Sequence, residues 1–133
     1  MPPLPAPPAA RSRILLIEDE PSVAAFIRSA LERSGYEVVA SPSAREGLEL
    51  LSQTDFGGVI SDFRTPGAIS GADVQEWLRQ HRPELATRLI FVTGDTASRD
   101  TVSLLAKAET PFLEKPFRLR QLLAAVEKVI GKP

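Results

Sequence analysis

From Arg13 onward the chain alternates short β-rich runs with helical patterns, five times over. Residues 14–17 (ILLI) are wholly apolar, as a strand buried on both faces must be. Val23, Ile27, Ala30, Leu31 and Ser34 then recur at helical spacing, with Pro21 opening the segment and Gly35 closing it. Residues 36–40 read as a second strand. Ser43 is placed to cap a helix whose inner face is Gly47, Leu48 and Leu51. Residues 59–61 form a third strand that ends at Asp62. Val74, Trp77, Leu78 and His81 stripe a third helix that Pro83 stops. Residues 89–93 (LIFVT) are the fourth strand, and 97–108 a fourth helix presenting Val102, Leu105 and Ala108. Residues 112–114 are the fifth strand. Leu119, Leu122, Leu123, Val126 and Ile130 mark the last helix.

Strands that alternate with helices require a parallel sheet covered on both faces. With right-handed crossovers, the usual small solution is an α/β doubly wound five-stranded sheet in the order 2-1-3-4-5. Pro111 agrees with that order, because proline is tolerated where an edge strand begins and the fifth strand is an edge here. The chain of 133 residues suffices for one such domain, assigned to residues 13–131. Residues 1–12 are set apart: five of the first eight are proline, which reads as an extended tail or linker. Pro2 and Pro5 also fit a PxxP docking pattern, which is too common to carry weight.

Composition excludes several classes. A net charge of −1 gives no bulk attraction to nucleic acid or anionic membrane. The absence of cysteine removes disulfides, thiolate metal sites and thiol catalysis. No apolar run approaches the roughly 20 residues that span a bilayer, and no secretory leader is visible, so a cytoplasmic location is expected.

In doubly wound sheets, sites lie beyond the carboxyl ends of the strands. The first strand delivers Glu18 and Asp19, the third Asp62, the fourth Thr93 and the fifth Lys115. These strands are neighbours in the expected order, so three carboxylates, a hydroxyl and an ammonium converge. Neither GxxxxGK nor GxGxxG occurs to cradle a phosphate. Hard oxygen ligands without His or Cys suit Mg²⁺, which takes one or two carboxylates and keeps waters. A carboxylate beside such an ion can accept a phosphoryl group. The ion and the ammonium would offset charge on the phosphoryl oxygens. Any one of these residues alone would be a cap or a surface charge, and Glu20 reads as a first-turn residue that complements the helix dipole.

The motifs LLIEDE, VISDFRTPG, FVTGD and FLEKPF, in that order, resemble the receiver domain of two-component response regulators over residues 13–130. The resemblance implies a flavodoxin-like (βα)5 fold and a phosphoacceptor, Asp62, served by a histidine kinase or phosphotransfer domain. It implies that Glu18, Asp19, Asp62 and the backbone carbonyl of Arg64 bind Mg²⁺. Thr93 becomes the switch hydroxyl, Lys115 the phosphate-pairing lysine, and Phe112 the switch aromatic. It further implies a cis Lys115–Pro116 peptide and an output surface made by the fourth helix, fifth strand and fifth helix. Such a domain assists its own phosphorylation and dephosphorylation without being an enzyme, and it is compatible with a homodimer. Direct contact with nucleic acid or membrane is not expected. Flanking the site, Arg64 and Asp95 are placed to pair across its opening.

The segment between Asp62 and Gly71 runs one residue longer than the family's pattern, with Thr65 in place of a common methionine, and Ala108-Glu109 replaces its frequent Gly-Ala. No output pattern follows before Pro133, so a stand-alone receiver or the terminal receiver of a hybrid kinase is expected. The proline-rich lead and SDFRTPG favour the second.

Other classes fit less well. A flavodoxin-type carrier needs a phosphate loop after the first strand, where EDEPS would repel the phosphate. An aspartate-nucleophile phosphatase needs an acid where Arg64 stands. A histidine phosphotransfer bundle needs an exposed histidine, and the sole histidine, His81, lies on the stripe expected to face the core. The runner-up is a degenerate receiver acting as a phosphorylation-independent interaction module.

Overall fold

A computed structural model describes residues 11–64, 69–94, 103, 106–107 and 110–133. The elements in chain order are β1 (Arg13–Ile17), α1 (Pro21–Arg33), β2 (Glu37–Ser41), α2 (Ala44–Gln53), β3 (Gly58–Asp62), α3 (Gly71–His81), α4 (Pro83–Ala86), β4 (Leu89–Thr93), β5 (Phe112–Glu114) and α5 (Leu119–Val129). The five strands form one parallel sheet in the order β2-β1-β3-β4-β5.

The sheet has two covered faces because alternate residues of its central strands point opposite ways. Leu15, Ile17, Val59, Leu89 and Phe91 meet Ala44 and Leu51 of α2, Val74 and Leu78 of α3 and Leu85 of α4. Ile14, Leu16, Ile60, Ile90 and Val92 meet Ile27 and Leu31 of α1 and Leu122 and Val126 of α5. Both sets are buried throughout, which explains why β1, β3 and β4 read as continuous apolar runs rather than alternating ones. Phe63, directly after the phosphoacceptor candidate, stacks edge-on against Phe91 with ring centroids 5.0 Å apart.

Local signals set the helix ends. Pro21 opens α1, and Gly35 follows it at φ 101°, a left-handed turn that favours glycine. The Ser43 hydroxyl accepts from the Glu46 amide at 3.2 Å. Ser70 and Asp73 form a reciprocal capping box at the start of α3. At the far end of the chain, the Tyr36 hydroxyl donates to the Gly131 carbonyl and ties α5's exit to the start of β2.

Three details differ from the sequence reading. The second strand is Glu37–Ser41, one residue later than expected, and Tyr36 leads into it. His81 is exposed rather than core-facing: it is the last residue of α3, and its ring lies over Trp77 at a centroid distance of 4.7 Å. Its angular position matches the stripe, but the chain turns away there into Arg82, so an imidazole keeps its water. Pro83 stops α3 and also opens the short α4, since proline suits a first helical turn.

Arg11 and Ser12 pack on the domain: the Ser12 carbonyl accepts from the Glu37 amide at 2.9 Å. Residues 1–10 lie outside the described residues. So do Thr65–Pro66–Gly67, Asp95 and Ala108–Glu109, and with them the Arg64–Asp95 pairing. Within the expected fourth helix, Ser103, Ala106 and Lys107 are helical, and the remainder is likewise outside.

Candidate functional site

A parallel sheet points every strand's carboxyl end the same way, and the ladder fixes which ends are adjacent. Ile17 of β1 pairs with Ser61 of β3, Asp62 of β3 with Val92 of β4, and Thr93 of β4 with Glu114 of β5. The residues that leave these strands therefore stand side by side. Glu18, Asp19 and Asp62 each offer a carboxylate oxygen, and these oxygens all lie within 4.8 Å of one another. Glu18 and Asp62 are buried and Asp19 is exposed, so the cluster meets solvent at Asp19.

Lys115 reaches this cluster from the end of β5. Its ammonium is 2.8 Å from Glu18 Oε1, 3.4 Å from Asp62 Oδ2 and 3.6 Å from Glu20 Oε1. Its backbone amide donates to the Thr93 carbonyl at 2.7 Å, which continues the β4–β5 ladder one step and holds the lysine stem in place. The Lys115–Pro116 peptide is cis, as the sequence reading expects. Thr93 is buried at the end of β4. Arg64 is exposed, two residues past Asp62. Phe112, the aromatic expected to switch, lies at the other end of β5 and is 48% exposed.

Glu20 belongs to this site, which the sequence reading missed. It is the N-cap residue of α1 in extended conformation, not a first-turn residue, and its side chain makes no capping bond. Its amide instead donates to Glu18 Oε2 at 3.2 Å, and its carboxylate leans to Lys115. The run of three acids before proline was the available signal.

The charge balance has measurable consequences. Burial, followed by repulsion from Glu18, raises the Asp62 pKa from 3.8 to about 7, and the Lys115 ammonium only partly opposes this. Burial alone would push Lys115 down, but Glu18 and Asp62 outweigh it and the ammonium's pKa is raised. Among the described residues, the one ammonium of Lys115 thus serves three carboxylates, those of Glu18, Glu20 and Asp62. Glu18 Oε1 is buried and has no aligned hydrogen-bond donor, only the nearby ammonium. An acidic pocket of hard oxygens with an under-satisfied buried oxygen fits a divalent cation, so these residues could hold a metal. Beside the cluster lies a groove of about 500 Å³ between α1 and the segment after β5, lined by Val23, Phe26, Pro116 and Phe117 among others. No helix among the described residues is long and apolar enough to cross a membrane.

Comparison with known proteins agrees with this arrangement. A family model described as the response regulator receiver domain matches residues 14–127. The response regulator receiver protein CpdR of Brucella abortus is 30% identical over 118 residues, covering 89% of this chain and 96% of that protein. The sensor kinase CckA of the same organism is 34% identical over 123 residues, which is 90% of this chain but 12% of that protein. The uncharacterized transcriptional regulatory protein YkoG of Bacillus subtilis is 29% identical over 120 residues, 90% of this chain; the chain spans about half of its length, 51%. Among solved structures, the response regulator protein TrrA of Thermotoga maritima, in complex with Mg²⁺ and BeF, superposes with a TM-score of 0.75 at 27% identity, covering 88% of this chain and 97% of that one.

Proposed function

Because the chain belongs to the response regulator receiver family, we propose that it is a phosphoacceptor module in which Asp62 takes a phosphoryl group from a phosphohistidine of a kinase or phosphotransfer domain. The observation that carries this reading is the meeting of Asp62 with the Glu18 and Asp19 carboxylates on one side and the Lys115 ammonium on the other. In the transfer, an Asp62 carboxylate oxygen forms a bond to phosphorus as the histidine N–P bond breaks. The departing electron pair stays on the imidazole nitrogen, which takes up a proton. The chain itself positions the reactants and does not turn over a separate substrate, so it acts as a protein substrate of its donor rather than as an enzyme.

Each residue then has a physical task. Asp62 must be ionised to attack, yet alone it holds its proton to about pH 7. Glu18, Asp19, Asp62 and the Arg64 carbonyl would hold Mg²⁺, which supplies positive charge to the carboxylates and the phosphoryl oxygens. Lys115 is close enough to Asp62 to pair with a phosphoryl oxygen placed there. Thr93, buried at the neighbouring strand end, supplies a hydroxyl donor to a second oxygen. Movement of that hydroxyl toward the phosphoryl group would open room into which the exposed Phe112 ring can turn. This biases the surface of the helix expected over residues 97–108, β5 and α5 between two states. Val23, Phe26 and Phe117 give a donor domain apolar surface beside the acidic cluster.

Intact-mass measurement after incubation with acetyl phosphate and Mg²⁺ tests the reading. One phosphoryl group is expected on the protein, and none on Asp62→Ala or in EDTA. Equal labelling with EDTA present, or undiminished labelling of Asp62→Ala, would overturn it.

A further inference from the structure

Gln75 is a polar residue on the buried face of α3. It is 5% exposed and lies between Val74 and Leu78, both fully buried. Among its contacts, its amide Nε2 donates to the Thr110 hydroxyl, across 35 residues of sequence. Burying a carboxamide without partners costs far more than burying a leucine, so this position requires the bond it makes.

The two sides of this bond lead to different parts of the molecule, the Gln75 side to Asp62 and the Thr110 side to Phe112. At the start of α3, the Gly71 amide donates to the Phe63 carbonyl at 2.9 Å. A Cβ on Gly71 would lie 2.9 Å from Phe63 Cα and 3.0 Å from the Asp62 carbonyl oxygen, so α3 begins in direct contact with the phosphoacceptor's own backbone. Gln75 lies four residues on, one helical turn or about 6 Å along the axis. Thr110 lies two residues before Phe112. The Pro111 carbonyl between them accepts from the Phe91 amide at 3.0 Å. β5 itself has only three residues and pairs on one side alone, so few bonds determine where it starts.

We infer that Gln75 is a positioning residue that couples Asp62 to the entry of β5 through the first turn of α3 and the Thr110 hydroxyl, in parallel with the strand-end path from Thr93 to Phe112. The inference rests on the reading of Asp62 as phosphoacceptor and adds a second connection to it. A displacement of the Asp62–Phe63 backbone on phosphorylation is passed to Gly71 by close backbone contact. It is carried by a rigid helical turn and delivered by one hydrogen bond to the residue that leads into Phe112. A pair that only satisfied a buried amide would leave Phe112 insensitive to its loss.

The test uses the full chain as wild type, Gln75→Leu, Thr110→Val, the double variant and Thr110→Ser. Beryllofluoride with Mg²⁺ is the probe, and the readout is the change it produces in the Phe112 backbone amide resonance. Labelling by acetyl phosphate is followed in parallel by intact mass. All five proteins are expected to label alike. Gln75→Leu and Thr110→Val should each reduce the Phe112 response by about two-fold or more, and the double variant by no more than either alone. Thr110→Ser, which keeps the hydroxyl, should respond as wild type. A full Phe112 response in either disrupting variant, additive losses in the double variant, or an impaired Thr110→Ser would overturn the coupling. Absence of label on the wild type would instead overturn the phosphoacceptor reading, and the inference with it.

Discussion

Replacing Asp62 with asparagine should stabilise the metal-free protein above neutral pH. The carboxylate is 7% exposed and faces the buried Glu18, and its pKa is raised from 3.8 to about 7. Each pKa unit is worth about 1.36 kcal/mol, so the ionised form strains the fold by at most about 4 kcal/mol. Solvent on the Asp19 side screens part of this, and about 2 kcal/mol is expected in practice. The sign follows from proton linkage. Between pH 3.8 and about 7 the native state keeps a proton that the unfolded chain has lost, so stability falls as pH rises through that window. Above it the penalty is complete, and below 3.8 it vanishes. Asparagine keeps the shape and cannot ionise. Urea unfolding in EDTA should therefore show Asp62→Asn ahead of wild type by about 2 kcal/mol at pH 8, with a visibly smaller lead at pH 5. Mg²⁺ should narrow the gap at pH 8 by stabilising the wild type more than the variant, which lacks one of the carboxylates. A variant no more stable than wild type at pH 8, or a lead that does not change with pH, would refute the account of charge crowding.

Lys115→Met should lower stability by about 2–3 kcal/mol in EDTA, because it leaves the buried Glu18 carboxylate without its cation; urea titration with and without Mg²⁺ measures the loss and its partial recovery. Ser70→Ala removes the capping box of α3 and should cost about 1 kcal/mol in the same assay. Phe91→Ala should cost about 3–5 kcal/mol, since it empties a fully buried position and removes the edge-on contact with Phe63.

Sequence alone carried the architecture and most of the site. The runs at β1, β3 and β4 are short and mostly apolar, and the helices between them carry one apolar stripe each, so only a parallel sheet covered on both faces buries them all. Once strands are parallel, the last residue of each run faces the same rim. That is why Glu18, Asp19, Asp62, Thr93 and Lys115 could be gathered from their positions without coordinates. Periodicity and strand direction are local properties, repeated along the chain, and they need no knowledge of which side chains touch.

What depended on tertiary contact was out of reach for the same reason. Glu20 looks like a dipole-complementing residue until Lys115 arrives from β5, 95 residues away, and draws its carboxylate into the cluster. His81 lies on the correct helical stripe, yet only the path of the chain beyond α3 shows that it stays in water. Gln75 reads as a polar interruption of an apolar face, and the partner that explains its burial, Thr110, sits before a strand on the far side of β4. The raised pKa of Asp62 arises from desolvation and from the closeness of Glu18, partly opposed by Lys115, and these exist only after the sheet has closed around them. Periodicity along the chain specifies which residues leave which strands, whereas burial and charge–charge distance belong to the assembled fold.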